Sequence, residues 1–164
     1  MSKTFLGFLA AGLAIAGALV YGLFSVNKSA HIELNGEILK VRVMALNPQA
    51  SLVVADFRVT NPSGLAFVMR NMTVQLQPLS GPVAEAEPIS KHNLEDVFKY
   101  EKLIGPQYNA ALSIKDSVPA HGTVDRMVGA RFELPESAID NRKIMRLHIE
   151  EMDGAMADIV EKQR

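Results

Sequence analysis

The stretch Val53 to Leu76, VVADFRVTNPSGLAFVMRNMTVQL, decides how the rest of the chain is read. Val53, Ala55, Phe57 and Val59 alternate with Asp56, Arg58 and Thr60, and Met72, Val74 and Leu76 alternate with Thr73, Gln75 and Gln77. A period of two places one set on a buried face and the other on a polar face, which is the pattern of a β-strand. Between the two runs stands Asn61-Pro62-Ser63-Gly64, where Asn and Pro set a turn and a ring without an N–H costs no ladder bond.

The same signature recurs on both sides. Leu39-Lys40-Val41-Arg42-Val43 would turn its apolar residues in and its bases out. Leu112 and Ile114 come next, then Val124, Val128, Ala130, Phe132 and Leu134, whose other face carries Asp125, Arg131 and Glu133. Met145, Leu147 and Ile149 precede Asp153-Gly154, a hairpin signal, and a closing strand around Ala157 to Val160. Seven strands in about 130 residues predict an all-β, immunoglobulin-like sandwich over 32–164. The exception is the insertion at 78–106, rich in Pro, Ala and Glu. Within it Asn93 can cap a short helix, Leu94, Val97 and Phe98 share a face, and Gly105-Pro106 ends it, a helix expected to cross from one sheet to the other.

Residues 1–4 read as a cytoplasmic head and 5–26 as a transmembrane helix. Phe5 to Val26 holds 22 consecutive positions without a charge, about 33 Å of helix against a bilayer core of about 30 Å. Tyr21 and Phe24 sit where interfacial aromatics settle. Phe5 to Ile15 also has the form of a signal-peptide h-region, with Ala16-Gly17-Ala18 as a small-x-small cleavage site. Cleavage there would leave the apolar terminus LVYGLF, so an uncleaved signal anchor is the preferred reading. A long C-terminal domain after such an anchor is expected to be exported, which places the sandwich on the periplasmic or extracytoplasmic side of the inner membrane, with 27–31 as its linker. Ala10, Ala14, Ala18 and Gly22 recur every four residues, with Gly7 nearby, a small-residue face of the kind that lets membrane helices pack against other membrane proteins.

The 164 residues are 48% hydrophobic and 21% charged, with no Cys and no Trp. Without cysteine there is no thiol catalysis, iron–sulfur cluster or Cys-based zinc site. The net charge of −1 provides no basic field for nucleic acid. Removing residues 1–30 leaves fifteen bases against eighteen acids.

The segment Val54 to Leu76 resembles the late embryogenesis abundant group 2 or water-stress and hypersensitive response (WHy) domain, in which a strand ends in Asn-Pro and the next opens with apolar residues. SIKDSVPAHGTVDRMVGARFEL, from Ser113 to Leu134, is similar to that family's extended segment, proline turn and long strand, and LHIEEMDG, from Leu147, to its closing strand. The resemblance implies an immunoglobulin- or fibronectin-like fold without a catalytic centre, associated with stress protection or interaction surfaces. The insertion at 78–106 is longer than the family's usual connection, which puts the transfer of a binding face in doubt.

Catalytic and metal motifs are missing from the sequence. His31, His92, His121 and His148 form no HxH or HExxH pair. Glu150, Glu151, Asp153 and Asp158 gather acid near the last hairpin but lack the spacing of an EF-hand, so a solvated turn is expected there. No GxSxG elbow or phosphate loop appears, although Ser113, His121 and Asp125 could meet in space. Arg126 follows the parity of Val124 and Val128 and should point inward, where it needs a carboxylate or carbonyl partner. The methionines Met44, Met69, Met72, Met127, Met145, Met152 and Met156 read as gap-fillers. No cofactor or metal is expected. The expected role is a non-catalytic interaction module anchored in the lipid bilayer, an accessory subunit of a membrane complex. The alternatives are a desiccation-protective WHy-like protein and a periplasmic ligand-binding protein or hydrolase.

Overall fold

The computed structural model describes residues 3–27 and 34–162. Two compact units divide between His31 and Ile32. The first is α1 (Lys3–Asn27), a helix of 25 residues. The second runs β1 (Asn35–Asn47), β2 (Ala50–Thr60), β3 (Phe67–Gln77), β4 (Ala84–Ala86), α2 (Lys91–Tyr100), a 3-10 turn (Lys102–Ile104), β5 (Ala110–Ala111), β6 (Ser117–Val118), β7 (Thr123–Phe132), α3 (Glu136–Asp140), β8 (Ile144–Glu151) and β9 (Met156–Val160). Residues 1–2 of the expected head, and 28–31 of the expected linker with His31, lie outside the described residues.

The second unit is a β-sandwich. One sheet has the order β1-β2-β7-β5 and the other β4-β3-β8-β9, with β6 also paired to β3. Period-two alternation builds the space between them: Val53, Ala55, Phe57 and Val59 of β2 and Val128, Ala130 and Phe132 of β7 meet Val74, Leu76, Leu147, Ile149 and Ile159 of the other sheet. In β3 the parity slips, since Phe67 and Met69 are buried but so are Met72, Val74 and Leu76. A bulge between Met69 and Asn71 absorbs the extra residue and keeps both halves facing the core. Met69, Met72, Met127 and Met145 are buried, whereas Met152 and Met156 are exposed.

Among the described residues nine strands stand where seven are expected. The strand expected at Leu112 and Ile114 is a turn instead, closed by the Ser113 N–H donating to Asp116 Oδ2 (2.9 Å) and by Lys115 at φ 71°. Pairing comes just before it, where β5 lies parallel to β7. The short strand β4 arises inside the insertion, and β6 directly before Pro119.

The insertion also differs from expectation. The crossing between sheets is extended chain, in which Pro88 bridges to Ala130 and the Ile89 N–H donates to the Gly129 carbonyl (2.8 Å). The helix begins at Lys91, with Ser90 Oγ accepting from the Asn93 N–H (3.2 Å). It lies on the outer face of the first sheet, where Leu94, Ile104 and Ala111 pack on Leu52, Val54 and Met127. Gly129 permits this contact, since a Cβ there would stand 2.7 Å from Leu94 Cδ1. The strand β2 is therefore buried on both faces.

Among the described residues no helix is long and apolar enough to cross a membrane. The side chains of α1 are described without a break over 12–22 only, so the span expected over 5–26 extends beyond them.

The acid cluster expected at the last hairpin is dispersed. Glu150 pairs with Arg70 (3.3 Å), Asp158 with His148 (2.6 Å), and Glu151 takes the inward parity of β8 and is buried. Burial pushes the Glu151 carboxyl above its ordinary 4.5, a Val68 backbone hydrogen bond opposes the shift, and the charge of Asp153 adds to it. The folded protein thus holds this proton more tightly than the unfolded chain, so the stability it contributes is complete below the unfolded value and is lost as pH rises through the raised one. Glu151→Gln is expected to raise Tm at neutral pH, and the gain should vanish below the ordinary 4.5, as thermal melts across that range would show.

Candidate functional site

The most developed polar cluster lies beneath the insertion. On the outer face of the first sheet, Arg42 of β1 and Asp56 of β2 alternate outward, as their parity dictates, yet neither reaches solvent. Their side chains are 9% and 3% exposed and meet at 2.8 Å. Arg42 Nη1 also donates to the carbonyls of Ile104 (3.0 Å) and Pro106 (2.8 Å), and Asn109 Nδ2 donates to the other Asp56 oxygen (2.9 Å). The guanidinium is sandwiched by aromatic rings, with Phe98 at 5.0 Å and Tyr108 at 5.1 Å from its centre. Its Nε is buried without a hydrogen-bond partner. Lys40 completes the edge, its Nζ 4.7 Å from the Tyr108 ring centre.

This arrangement is a clasp. Both carboxylate oxygens and both terminal guanidinium nitrogens are committed to neighbours, which leaves only the buried Nε without one. The effect of the clasp is to hold the segment from Phe98 to Asn109 on the sheet. A planar guanidinium suits the task because it can serve a carboxylate and two carbonyls while stacking between rings.

The other residues singled out in the sequence fall elsewhere. Asn61 is fully buried at the corner after β2. Its Nδ2 donates to the carbonyls of Leu65 (2.7 Å) and Val118 (3.1 Å), and its Oδ1 accepts from the Ser63 N–H (3.0 Å). One side chain thereby ties three parts of the corner, with Pro62 exposed on its outside. Asp153 and Gly154 form the turn between β8 and β9, where Gly154 takes φ 86°, a conformation open to glycine at little cost. Arg126 is half-buried and finds a carbonyl, its Nη1 donating to the Asp125 oxygen (3.0 Å). Asp125 gives both oxygens to Arg58 (2.7 and 2.8 Å), which holds its carboxyl below the ordinary range.

Ser113, His121 and Asp125 therefore form no relay: Asp125 is occupied, and no hydrogen bond joins the three among the described residues. His148 faces outward opposite Asp158, and His92 lies 3.5 Å from Asp96 on the exposed side of α2. Among the described residues no three His, Asp or Glu side chains converge as a metal site. In α1, Gly7, Ala14, Ala18 and Gly22 are exposed, and the side chain of Ala10 lies outside the described residues.

Among the described residues, two concavities of the sandwich stand out. One, of about 340 Å³, lies between the crossing segment and the turn after β5 and is lined by Met69, Met72, Ile89, Leu112 and Ile114 together with Asn71, Glu87 and Lys91. The other, of about 330 Å³, lies beside His148 and Asp158.

No family model matches the chain, and no curated protein matches it either. Among solved structures it is similar to the archaellum periplasmic stator protein FlaG from Sulfolobus acidocaldarius, at 15% identity over 77% of this chain and 98% of that one, with a TM-score of 0.37. It is also similar to the structural-genomics target SoR45, at 10% identity over 80% of each chain and a TM-score of 0.36. A third is an uncharacterised β-sandwich protein from Clostridium difficile 630, at 15% identity over 81% of each chain and a TM-score of 0.35.

In the sequence Arg42 and Asp56 stand on the polar, outward parity of their strands. The signal for their burial is the unbroken apolar run Leu52-Val53-Val54, since a strand with apolar residues on both faces is covered on both. Asp56 continues the outer face of Leu52 and Val54. Removing one partner of such a pair leaves the other buried and uncompensated, so Arg42→Met is expected to cost about 3–5 kcal/mol in urea unfolding. Adding Asp56→Leu to it should restore most of that loss.

Proposed function

We propose that the chain is a membrane-anchored, non-catalytic β-sandwich module that acts through protein–protein contacts as an accessory subunit of a membrane complex. The observation that carries the anchor is the surface of α1. Phe8, Leu13, Ile15, Leu19, Val20 and Tyr21 are all exposed, and at 3.6 residues per turn they leave the helix in every direction. A helix that is apolar all round belongs in a core or a bilayer. The uncharged run from Phe5 to Val26 gives it the required length. The anchor is read with its N-terminus in the cytoplasm and the sandwich outside.

The fold of the exported body is read as immunoglobulin-like. The sequence order β1-β2-β7 against β3-β8-β9 follows strands A, B, E and C, F, G of that fold, while β5 departs from strand D by running parallel to its neighbour. What supports a non-catalytic role is the commitment of the polar side chains. The Arg42–Asp56, Arg58–Asp125 and Asn61 groups each close on structural partners.

A second reading, a stress-protective WHy-like domain, draws on the corner at Asn61-Pro62, where a strand ends and an apolar-led strand follows as in that family. Loss of the protein should then lower survival of drying, and unchanged survival would remove this reading.

For the leading reading, the full-length protein is expected to stay in the membrane pellet at alkaline pH and to co-purify with a defined partner in mild detergent. Changing Ala14→Leu together with Ala18→Leu should leave the membrane association intact and deplete that partner, because larger side chains keep helix backbones apart.

A further inference from the structure

The tip of the insertion displays a large apolar residue that the structure holds away from the core. In the 3-10 turn after α2, Ile104 is buried at 3% exposure and its neighbour Leu103 stands out at 89%. The turn cannot roll Leu103 inward, because Arg42 grips the carbonyls of Ile104 and Pro106 on either side of Gly105. Gly105 itself takes φ 79° and donates its N–H to the Lys102 carbonyl (3.1 Å). Within five residues of Leu103 in the chain are two exposed tyrosines, Tyr100 (68%) and Tyr108 (56%). Each has a lysine at its ring face, Lys99 at 5.1 Å and Lys40 at 4.7 Å, and Lys102 precedes Leu103 directly. Glu101 is the acid within the tip. Arg42 adds no free charge there, since Asp56 neutralises it.

One exposed leucine on a globular surface needs no explanation. Here, however, the turn that carries the leucine is gripped by a buried arginine, and the same segment presents two exposed tyrosines, each with a lysine at its ring, and Lys102 beside the leucine. Leucine enters the acyl boundary, tyrosine rests at the headgroup level, and lysine lies against lipid phosphates. We propose that the tip formed by Tyr100, Leu103 and Tyr108 docks on the surface of an anionic lipid bilayer, with Lys40, Lys99 and Lys102 contacting the headgroups. This rests on the anchored reading only for its setting, since a tether raises the local concentration of the bilayer and makes a weak contact effective.

The chain has no tryptophan, so single substitutions report their own surroundings. Full-length Leu103→Trp would be reconstituted in vesicles of phosphatidylcholine, with or without phosphatidylglycerol, in which the acyl chains are brominated. Phe8→Trp in the same vesicles reports on the anchor. The docking tip predicts that bromine quenches Leu103→Trp about two-fold in vesicles with phosphatidylglycerol and little without it. Adding Lys99→Glu and Lys102→Glu should abolish that quenching, as should high salt. Quenching of Phe8→Trp without quenching of Leu103→Trp would leave the anchor standing and overturn the docking tip, as would quenching indifferent to lipid charge. Quenching of Leu103→Trp by phosphatidylglycerol vesicles without quenching of Phe8→Trp would uphold the tip and remove the anchor. If Leu103→Trp is shielded only when a co-purifying protein is present, the tip is a protein contact and the lipid proposal fails.

Discussion

The ion pair between Arg42 and Asp56 is the constraint on which the outer half of this sandwich depends. Two charges on adjacent strands have been taken out of water, a step that costs several kcal/mol per ion unless geometry and additional hydrogen bonds compensate. Compensation comes from the insertion: two carbonyls at its 3-10 turn, the amide of Asn109 and the faces of Phe98 and Tyr108. The dependence runs both ways. Without the insertion the pair would be an ordinary surface contact, and without the pair the turn at 102–104 would lose the group that satisfies its carbonyls.

Apolar contacts make the same attachment over a wider area. Leu94 closes on Gly129 so tightly that a Cβ there would force a side chain to shift, and Ile104 joins Leu52, Val54 and Met127 in a second, smaller core. The sandwich thus carries a third layer on the outer face of its first sheet. That asymmetry gives the outer surface its character, because the insertion buries Ile104 and thereby exposes Leu103. The other layer is closed by β8 and β9, where alternation leaves one acid, Glu151, on the buried parity.

Much of this was legible from residue pattern. The alternations of β2, β3, β7, β8 and β9 follow directly from period two, and the corner at Asn61-Pro62 and the turn at Asp153-Gly154 fall where turn chemistry places them. What the pattern could not carry was pairing at a distance. Leu112 and Ile114 alternate like a strand, but the Ser113 N–H between them donates to the Asp116 carboxylate and closes a turn instead. In β3 a bulge resets the parity between Met69 and Met72, which a strict alternation cannot anticipate. Arg42 was read as facing outward, and it does. That outward meant under another layer depended on residues more than sixty positions away, although Leu52-Val53-Val54 carried a local hint of it.

Backbone hydrogen exchange on the full-length protein, compared between the natural sequence and Arg42→Met, addresses the central claim most directly. If the clasp holds the insertion to the sheet, protection should fall further across Leu94 to Ile104 than at the amides of Val74 and Leu147 in the opposite sheet, which lose only what the global stability loses. Equal loss of protection in both sheets, or unchanged protection at the insertion, would contradict the account.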